Sequence, residues 1–296
     1  MDLSISIVNW NTRDDLRQAL TAIYNSGTKA SFEVIVVDNA STDSSVAMLE
    51  SEFPQVRVIS NDANRGFGAA HNQAFNQGTG RYRMPLNPDA LVQPGGFDKL
   101  IACAESDPKI GVIGPKLLYP DGSLQYSCRR FPSIGAALFR NALFDKLFPK
   151  NRFANDYLMR DWDHNSHREV GWVSGAAMLI RGELLDKVGA FDEQFFMYCE
   201  DTDLCFRARQ SGYSVYYCPE AVAIHTVGRS SDAVPNRMTL QHHKSMYLYF
   251  KKHTAEQTAW YIRPLVPLGL WMRAFATIGR NVLYMIWRRI KREKAR

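Results

Sequence analysis

The sequence predicts an α/β protein: a mostly parallel sheet flanked by helices, followed by an amphipathic helical extension at the C-terminus. Three observations carry this expectation. Strand-like and helix-like runs alternate through the first hundred residues, the order that builds a parallel, doubly wound sheet. The strand-like runs are largely apolar, as strands covered on both faces are. From Tyr261 onward the chain turns strongly basic and takes on a two-faced helical pattern.

In chain order, residues 3–8 form a β-rich run, and Thr12 with Asp14 and Asp15 marks the start of a helix reaching about Ser26. Residues 32–37 are the second strand. Ser41-Thr42-Asp43 reads as the cap of a helix ending near Phe53, with Asp43 as a capping carboxylate. Residues 56–59 are a third strand, 66–77 a third helix and 82–86 a fourth strand. Ligands of such sheets bind beyond the carboxyl ends of the strands. Asn9, Asp38, Asn64 and Asp89 each follow one of the four strands, so all are expected to face one crevice. Beyond Pro94 the pattern is mixed. Residues 110–119 and 172–180 read as strands, 201–211 as a helix and 221–224 as a short strand. Residues 129–169, aromatic and basic without clean periodicity, read as a partly helical excursion over the active-site face. The expected division is a unit over 1–235, in two halves (1–93 and 94–235), and a basic helical region over 236–296.

With 46% hydrophobic and 12% aromatic residues among 296, the chain can bury a substantial core. Its five cysteines are odd in number and none has C-x-x-C spacing, which suggests free thiols in a reducing cytosol rather than a zinc knuckle or disulfide framework. The apolar N-terminal run is too short for a signal peptide, and no uncharged apolar run of about 18 residues suggests a membrane span. The net charge of +6 is unevenly placed: nine Lys/Arg after residue 260 against the single acid Glu293 give the tail +8 and leave the rest at −2. A nucleic-acid binder spreads basic charge over its folded face, so nucleic acid is not an expected partner.

Several segments in order then carry a resemblance. They are Ser6-Ile-Val-Asn-Trp-Asn11, Val37-Asp-Asn-Ala-Ser-Thr-Asp43, Asn64-Arg-Gly-Phe-Gly68 with Asn72, and Leu86-Asn-Pro-Asp89. Trp172-Val-Ser-Gly175, Phe191-Asp-Glu-Gln-Phe-Phe-Met-Tyr198, Glu200-Asp-Thr-Asp-Leu-Cys-Phe-Arg207 and His225-Thr-Val-Gly228 continue the series. Across about residues 3–230 the chain resembles the inverting family 2 glycosyltransferases of GT-A (Rossmann-like) fold, and among them the bacterial rhamnosyltransferase-like branch. The last sixty residues are covered only loosely.

The resemblance implies roles that the residues alone leave open. Asp38 would accept N3–H of a uracil or thymine ring, with Asn9 and Asn11 lining the same nucleoside pocket; an Asx turn explains Asp38 equally well from sequence. Gly66-Phe67-Gly68 is not a dinucleotide fingerprint, because His71 stands where the third glycine belongs. Asn64 and Arg65 are instead expected at a helix N-terminus near the donor, Arg65 meeting phosphate charge. Asn87-Pro88-Asp89 stands where the family carries Asp-x-Asp. Asp89 matches the metal-binding carboxylate, and Asn87, which supplies no charge, would bond the donor ribose or sugar; a metal-free Asn-Pro-Asp turn is the plainer reading. His225 would complete the shell of a divalent cation, Mn2+ or Mg2+.

Glu200 and Asp201 open a helix, where acids commonly complement the helix dipole. The aromatic run before them would exclude water and keep a carboxylate basic. By resemblance Asp201 is the general base, and Glu200 holds the acceptor or orients Asp201. Asp203 and Arg207 are expected as an i,i+4 ion pair. Trp172 is expected either to stack on an acceptor sugar or to be buried. Arg229, in a segment with the composition of a loop, would cover the diphosphate.

In the tail, Trp271, Phe275, Ile278, Val282, Met285 and Ile286 fall on one helical face. Arg273, Thr277, Arg280, Asn281, Tyr284, Arg288 and Lys291 fall on the other. This pattern fits an interfacial helix on an anionic membrane, placing the protein peripherally on the inner face of the plasma membrane; a helix packed on the catalytic unit or a second subunit gives the same stripe. The expected reaction transfers L-rhamnose from dTDP-L-rhamnose to a saccharide or lipid-linked saccharide. A UDP-sugar donor, a sugar nucleotidyltransferase and a non-catalytic nucleotide-sugar binder remain alternatives, and self-association is left open.

Overall fold

The computed structural model describes residues 1–133, 151–226 and 234–294. The first half runs β1 (Leu3–Asn9), α1 (Arg13–Tyr24), β2 (Phe32–Asp38), α2 (Ser45–Glu52), β3 (Arg57–Ser60), α3 (Phe67–Gln77), β4 (Tyr82–Leu86), β5 (Ala90–Val92), α4 (Gly96–Glu105) and β6 (Ile110–Leu118). It continues through β7 (Cys128–Arg129), α5 (Arg152–Tyr157), β8 (Arg168–Glu169), β9 (Trp172–Val173), β10 (Leu179–Arg181), α6 (Gly182–Val188), α7 (Glu200–Gln210) and β11 (Ser214–His225). Two long helices follow, α8 (Pro235–His253) and α9 (Leu265–Lys294).

The sheet has nine strands in the order β3-β2-β1-β4-β10-β6-β11-β5, with β8 also paired to β11. Strands β3, β2, β1, β4, β6 and β11 run one way, while β10, β5 and β8 oppose them. The alternation in β1 shows how sequence builds this layer. Leu3, Ile5 and Ile7 face a core shared with Leu16, Leu20 and Ile23 of α1. Ser4 and Ser6 lie on the opposite face, where Ser6 Oγ bonds His71 Nδ1 of α3. Burial holds His71 far down, at about 3, so the ring is neutral.

Residues 172–180 differ from the single strand expected. Strand β9 pairs with β7 in a separate two-stranded sheet, and only β10 enters the main sheet, antiparallel between β4 and β6. The intervening backbone leaves the strand path to bond two other segments: the Gly175 N–H donates to Asp201 Oδ2 (3.0 Å), and the Asn87 N–H donates to the Ala176 carbonyl (2.8 Å). Apolar content cannot reveal that diversion. The expected strand at 221–224 is the end of the twelve-residue β11, and β5, α4 and α6 had no expectation.

α8 packs on α9 through Phe250, Val266 and Leu270. It is tied to the sheet-bearing body by Ser245 Oγ donating to the Met197 carbonyl (2.8 Å) and by bonds from Lys252 (2.7 Å) and His253 (2.6 Å) to Asp203. Along α9, Val266, Leu270 and Ala274 are buried, whereas Met272, Phe275, Leu283, Met285 and Trp287 are exposed. No helix among the described residues is long and apolar enough to cross a membrane.

Candidate active site

The carboxyl ends of β1 and β2 lie side by side, Asn9 opposite Asp38 in register. Asn9 is fully buried. Its Nδ2 donates to Asp38 Oδ1 (2.8 Å) and Ser41 Oγ (3.0 Å), and its Oδ1 accepts from Thr12 Oγ1 (2.7 Å). Asp38 Oδ2 accepts the Ser41 N–H (2.9 Å). The Asn9 amide is therefore occupied in aiming Asp38, and Asn9 does not itself line the cavity described below. Asn11, at φ 55°, accepts the Thr42 N–H (2.7 Å) and so braces the same loop. Asp43 is not the capping residue of α2, which is Ser44, but it serves two helix starts: it accepts the N–H groups of Ser45 (3.1 Å) and of Arg13 (2.8 Å).

At the entry to α3, Asn64 Oδ1 accepts the Gly66 N–H (2.9 Å) and Arg65 is exposed. Gly66 has φ +88°, and a Cβ there would lie 2.2 Å from the Phe196 carbonyl oxygen. That carbonyl accepts the Phe67 N–H (2.8 Å), so the first turn of α3 is spent on the loop leading to α7. Asn39, which had no assigned role, is buried and donates to the Gly66 carbonyl (3.2 Å).

Asp89 and His225 meet at the end of the β5–β11 pairing, with Asp89 Oδ1 3.3 Å from His225 Nε2. Asn87 Nδ2 lies 3.3 Å from the same nitrogen. On the ring's far side, Nδ1 is 3.0 Å from Gln125 Oε1, an acceptor, while Gln125 Nε2 donates to the His225 carbonyl. Gln125 thus engages Nδ1 and orients Nε2 toward Asp89, the arrangement in which an outer partner positions a metal-binding imidazole. Gln125 lies a hundred residues from His225 in sequence, and no motif marks it.

Tyr198 and Cys199 take positive φ (71° and 68°), an uncommon conformation for such residues, which turns the chain from the aromatic run into α7. Glu200 is buried and its Oε2 has no partner. Burial, reinforced by the charge of Asp201, pushes its carboxyl well above the ordinary range. Asp201 is raised by burial as well, but bonds from the Gly175 N–H and from the Thr202 N–H (2.7 Å) and hydroxyl (3.2 Å) oppose that shift. Both carboxyls are raised by burial, and the bonds that Asp201 alone accepts from Gly175 and Thr202 favour its charged form over that of Glu200. Asp203 pairs with Arg207 (2.8 Å), as the spacing predicts.

Trp172 is 8% exposed, its Nε1 donating to the Arg130 carbonyl (3.0 Å) and its ring covered by the Arg129 guanidinium at 5.0 Å. Arg229 lies outside the described residues, as do residues 134–150 of the excursion.

A cavity of about 570 Å3 joins these groups, within the range of small-molecule sites. Asn64, Asn87, Asp89, Trp172, Glu200, Asp201 and His225 line it, together with Trp10, Asn39, Gln125 and Arg129; Asn9, Asn11, Asp38 and Arg65 do not. Its further wall comes from the C-terminal helices, including Met246, Phe250, Leu270 and Arg273. Arg273 therefore lies at the cavity rather than on the outward polar face that the helical pattern suggested.

Comparison with known proteins shows the family and the fold. A sequence model described as Glycosyl transferase family 2 matches residues 4–175. The chain is 30% identical over 274 residues to N-acetylglucosaminyl-diphospho-decaprenol L-rhamnosyltransferase of Mycobacterium tuberculosis, covering 89% of this chain and 87% of that protein. It is 28% identical over 199 residues to the rhamnosyltransferase WbbL of Escherichia coli, covering 63% of this chain and 70% of that one. Its fold is similar to that of the mannosyltransferase PcManGT from Pyrobaculum calidifontis, solved in complex with GDP-Man and Mn2+. That match has a TM-score of 0.59 and 17% identity, over 96% of this chain and 80% of the other.

Proposed function

Because the chain belongs to glycosyl transferase family 2, we propose that it moves L-rhamnose from dTDP-L-rhamnose to a saccharide carried on a lipid diphosphate, inverting the anomeric centre. It is a nucleotide-sugar-dependent glycosyltransferase. The observation that carries the finer reading is the shared support of base and metal pair. Adjacent residues Gly175 and Ala176 hold Asp201 and Asn87 respectively, so that Asp201 and the Asp89–His225 pair line one cavity.

In this reading Asp201 takes the proton of the acceptor hydroxyl. The freed oxygen attacks the anomeric carbon from the face opposite the diphosphate, and the carbon–oxygen bond to dTDP breaks with its electron pair leaving on the phosphate. Glu200, buried beside the base with its Oε2 unpartnered, holds the acceptor saccharide or orients Asp201. Asp38, held by Asn9, reads N3–H of the pyrimidine, Asn11 and Asn64 brace the nucleoside side, and Asn87 bonds the ribose or sugar. Arg65 and Arg229 meet phosphate charge. Asp89 and His225 fit a divalent cation, Mn2+ or Mg2+, because Gln125 already orients the ring with Nε2 toward the carboxylate. That ion, when bound, neutralises charge on the diphosphate.

The lipid part of the acceptor is supported by the apolar wall of Met238, Met246, Phe250, Val266 and Leu270, continuous with the catalytic end of the cavity. The exposed apolar residues of α9, next to a tail of charge +8, support peripheral attachment to an anionic cytoplasmic membrane face. The same features suggest that residues 236–296 work as a membrane-associating region appended to a catalytic unit over 1–235.

Transfer assays with dTDP-L-rhamnose, UDP-GlcNAc and UDP-galactose on a prenyl-diphosphate-linked saccharide test the donor, and NMR of the new linkage tests inversion. A UDP-sugar turned over in preference to dTDP-L-rhamnose reassigns the donor. Asp201→Asn should abolish transfer with donor affinity kept within a few-fold; a variant retaining a tenth of wild-type kcat removes Asp201 as the base.

A further inference from the structure

Away from the cavity, β8 lies antiparallel on β11 with Tyr217 opposite Arg168, which sets His167 against Cys218. α4 packs over the same strand and brings in Cys103 near its C-terminal end. The three ligand atoms, Cys103 Sγ, Cys218 Sγ and a ring nitrogen of His167, lie within 4.8 Å of one another. His167 Nδ1 is the nitrogen turned toward the sulfurs, 3.8 Å from Cys103 Sγ. A shift of register in β11 between Cys218 and Val222 returns Glu220 to this side, with Oε2 2.8 Å from His167 Nε2 and 3.7 Å from Cys218 Sγ. None of these four residues lines the active-site cavity.

From this arrangement we propose that Cys103, Cys218 and His167 bind a zinc ion, with Glu220 holding His167 Nε2–H and the fourth position left to water. Two sulfurs and an imidazole are a soft donor set that selects zinc over the hard cations suited to Asp89. Bond lengths of about 2.3 Å to sulfur and about 2.0–2.1 Å to nitrogen are reached within the observed spread by side-chain rotation. A carboxylate on the far nitrogen of a histidine is the usual outer support of a metal-binding ring. The sulfurs are buried, while the side chains of His167 and Glu220 are 43% and 53% exposed, which gives the ion an entry path. Binding displaces the two thiol protons into solvent. The ion joins α4, β11 and the segment leading into β8. It anchors the end of the 129–169 excursion, whose beginning reaches the cavity at Arg129.

Cobalt(II) titration of the reduced, full-length protein reads the site directly, since a thiolate-to-cobalt charge-transfer band cannot arise from Asp89 and His225. The band is expected in the wild type and in Asp89→Ala, and is lost in Cys218→Ser. A folded wild type without it, or a Cys218→Ser variant that keeps it, overturns the proposal. Should Cys218→Ser fail to fold, the exposed His167 offers a second measurement. In competition with a chromophoric chelator, His167→Ala should bind zinc at least ~10-fold more weakly and Glu220→Gln roughly 10-fold more weakly. Unchanged zinc affinity in His167→Ala refutes the site.

Discussion

Asp203→Asn tests whether the helix that carries Glu200 and Asp201 is held in place through its own first turn. The Asp203 side chain is wholly buried and accepts from Arg207 Nε (2.8 Å), Lys252 Nζ (2.7 Å) and His253 Nε2 (2.6 Å), joining α7 to α8 two residues from Asp201. Burial alone would raise this carboxyl. Bonds from His253 and Lys252 and the charge of Arg207 outweigh it and hold the group at about 2, against an ordinary 3.8. At 1.36 kcal/mol per pH unit that fall corresponds to roughly 2 kcal/mol. Asparagine keeps the shape, removes the charge and turns one of the two accepting oxygens into a donor, so the variant should be about 2–4 kcal/mol less stable at pH 7.

Because the folded-state pKa is depressed, this contribution is fully present above the unfolded value and disappears as pH falls through the folded one. The stability gap between wild type and variant should therefore be constant above about pH 5 and fall to roughly half by pH 3. Urea unfolding followed by circular dichroism across that range measures the gap. A difference below about 0.5 kcal/mol at pH 7, or one that does not shrink on acidification, would refute the reasoning.

Three further outcomes follow from the site. Gly66→Ala places a methyl group against the Phe196 carbonyl and forces positive φ on alanine, so it should cost about 1–2 kcal/mol in backbone strain alone and lower kcat by shifting the loop before Glu200; wild-type kcat would show that this contact does not set the loop. Gln125→Ala removes the acceptor that orients His225 and should weaken Mn2+ binding by roughly 10–100-fold in titration calorimetry; an unchanged dissociation constant would separate His225 from the metal. Leu283→Glu with Trp287→Glu, on the exposed face of α9, should sharply reduce co-sedimentation with anionic vesicles while donor hydrolysis stays near wild type, and equal sedimentation of both proteins would exclude this face as the contact.

The sequence by itself determined the layers and the identity of the chemical groups. Period-two and period-3.6 patterns are local, so β1 to β4 and α1 to α3 were legible to within a few residues, and strand-end positions pointed Asn64 and Asp89 toward one crevice, whereas Asn9 and Asp38, expected there too, bond to each other outside the cavity lining. The spacing of Asp203 and Arg207 likewise gave their ion pair, because neighbours on one helix need no tertiary information. What tertiary structure alone decided lies in contacts between distant segments. Gln125 reaches His225 across a hundred residues, and Gly175 leaves a strand to bond Asp201. Arg273 turns inward because α9 buries Val266, Leu270 and Ala274 against its neighbours, leaving part of the apolar stripe outside. Cys103, His167 and Cys218 carry no recognisable spacing, since a helix and two paired strands, each from a separate stretch of chain, bring them together. Composition and periodicity report what each segment prefers; which segments meet is fixed by the sheet order and by the backbone hydrogen bonds that the segments leave unsatisfied.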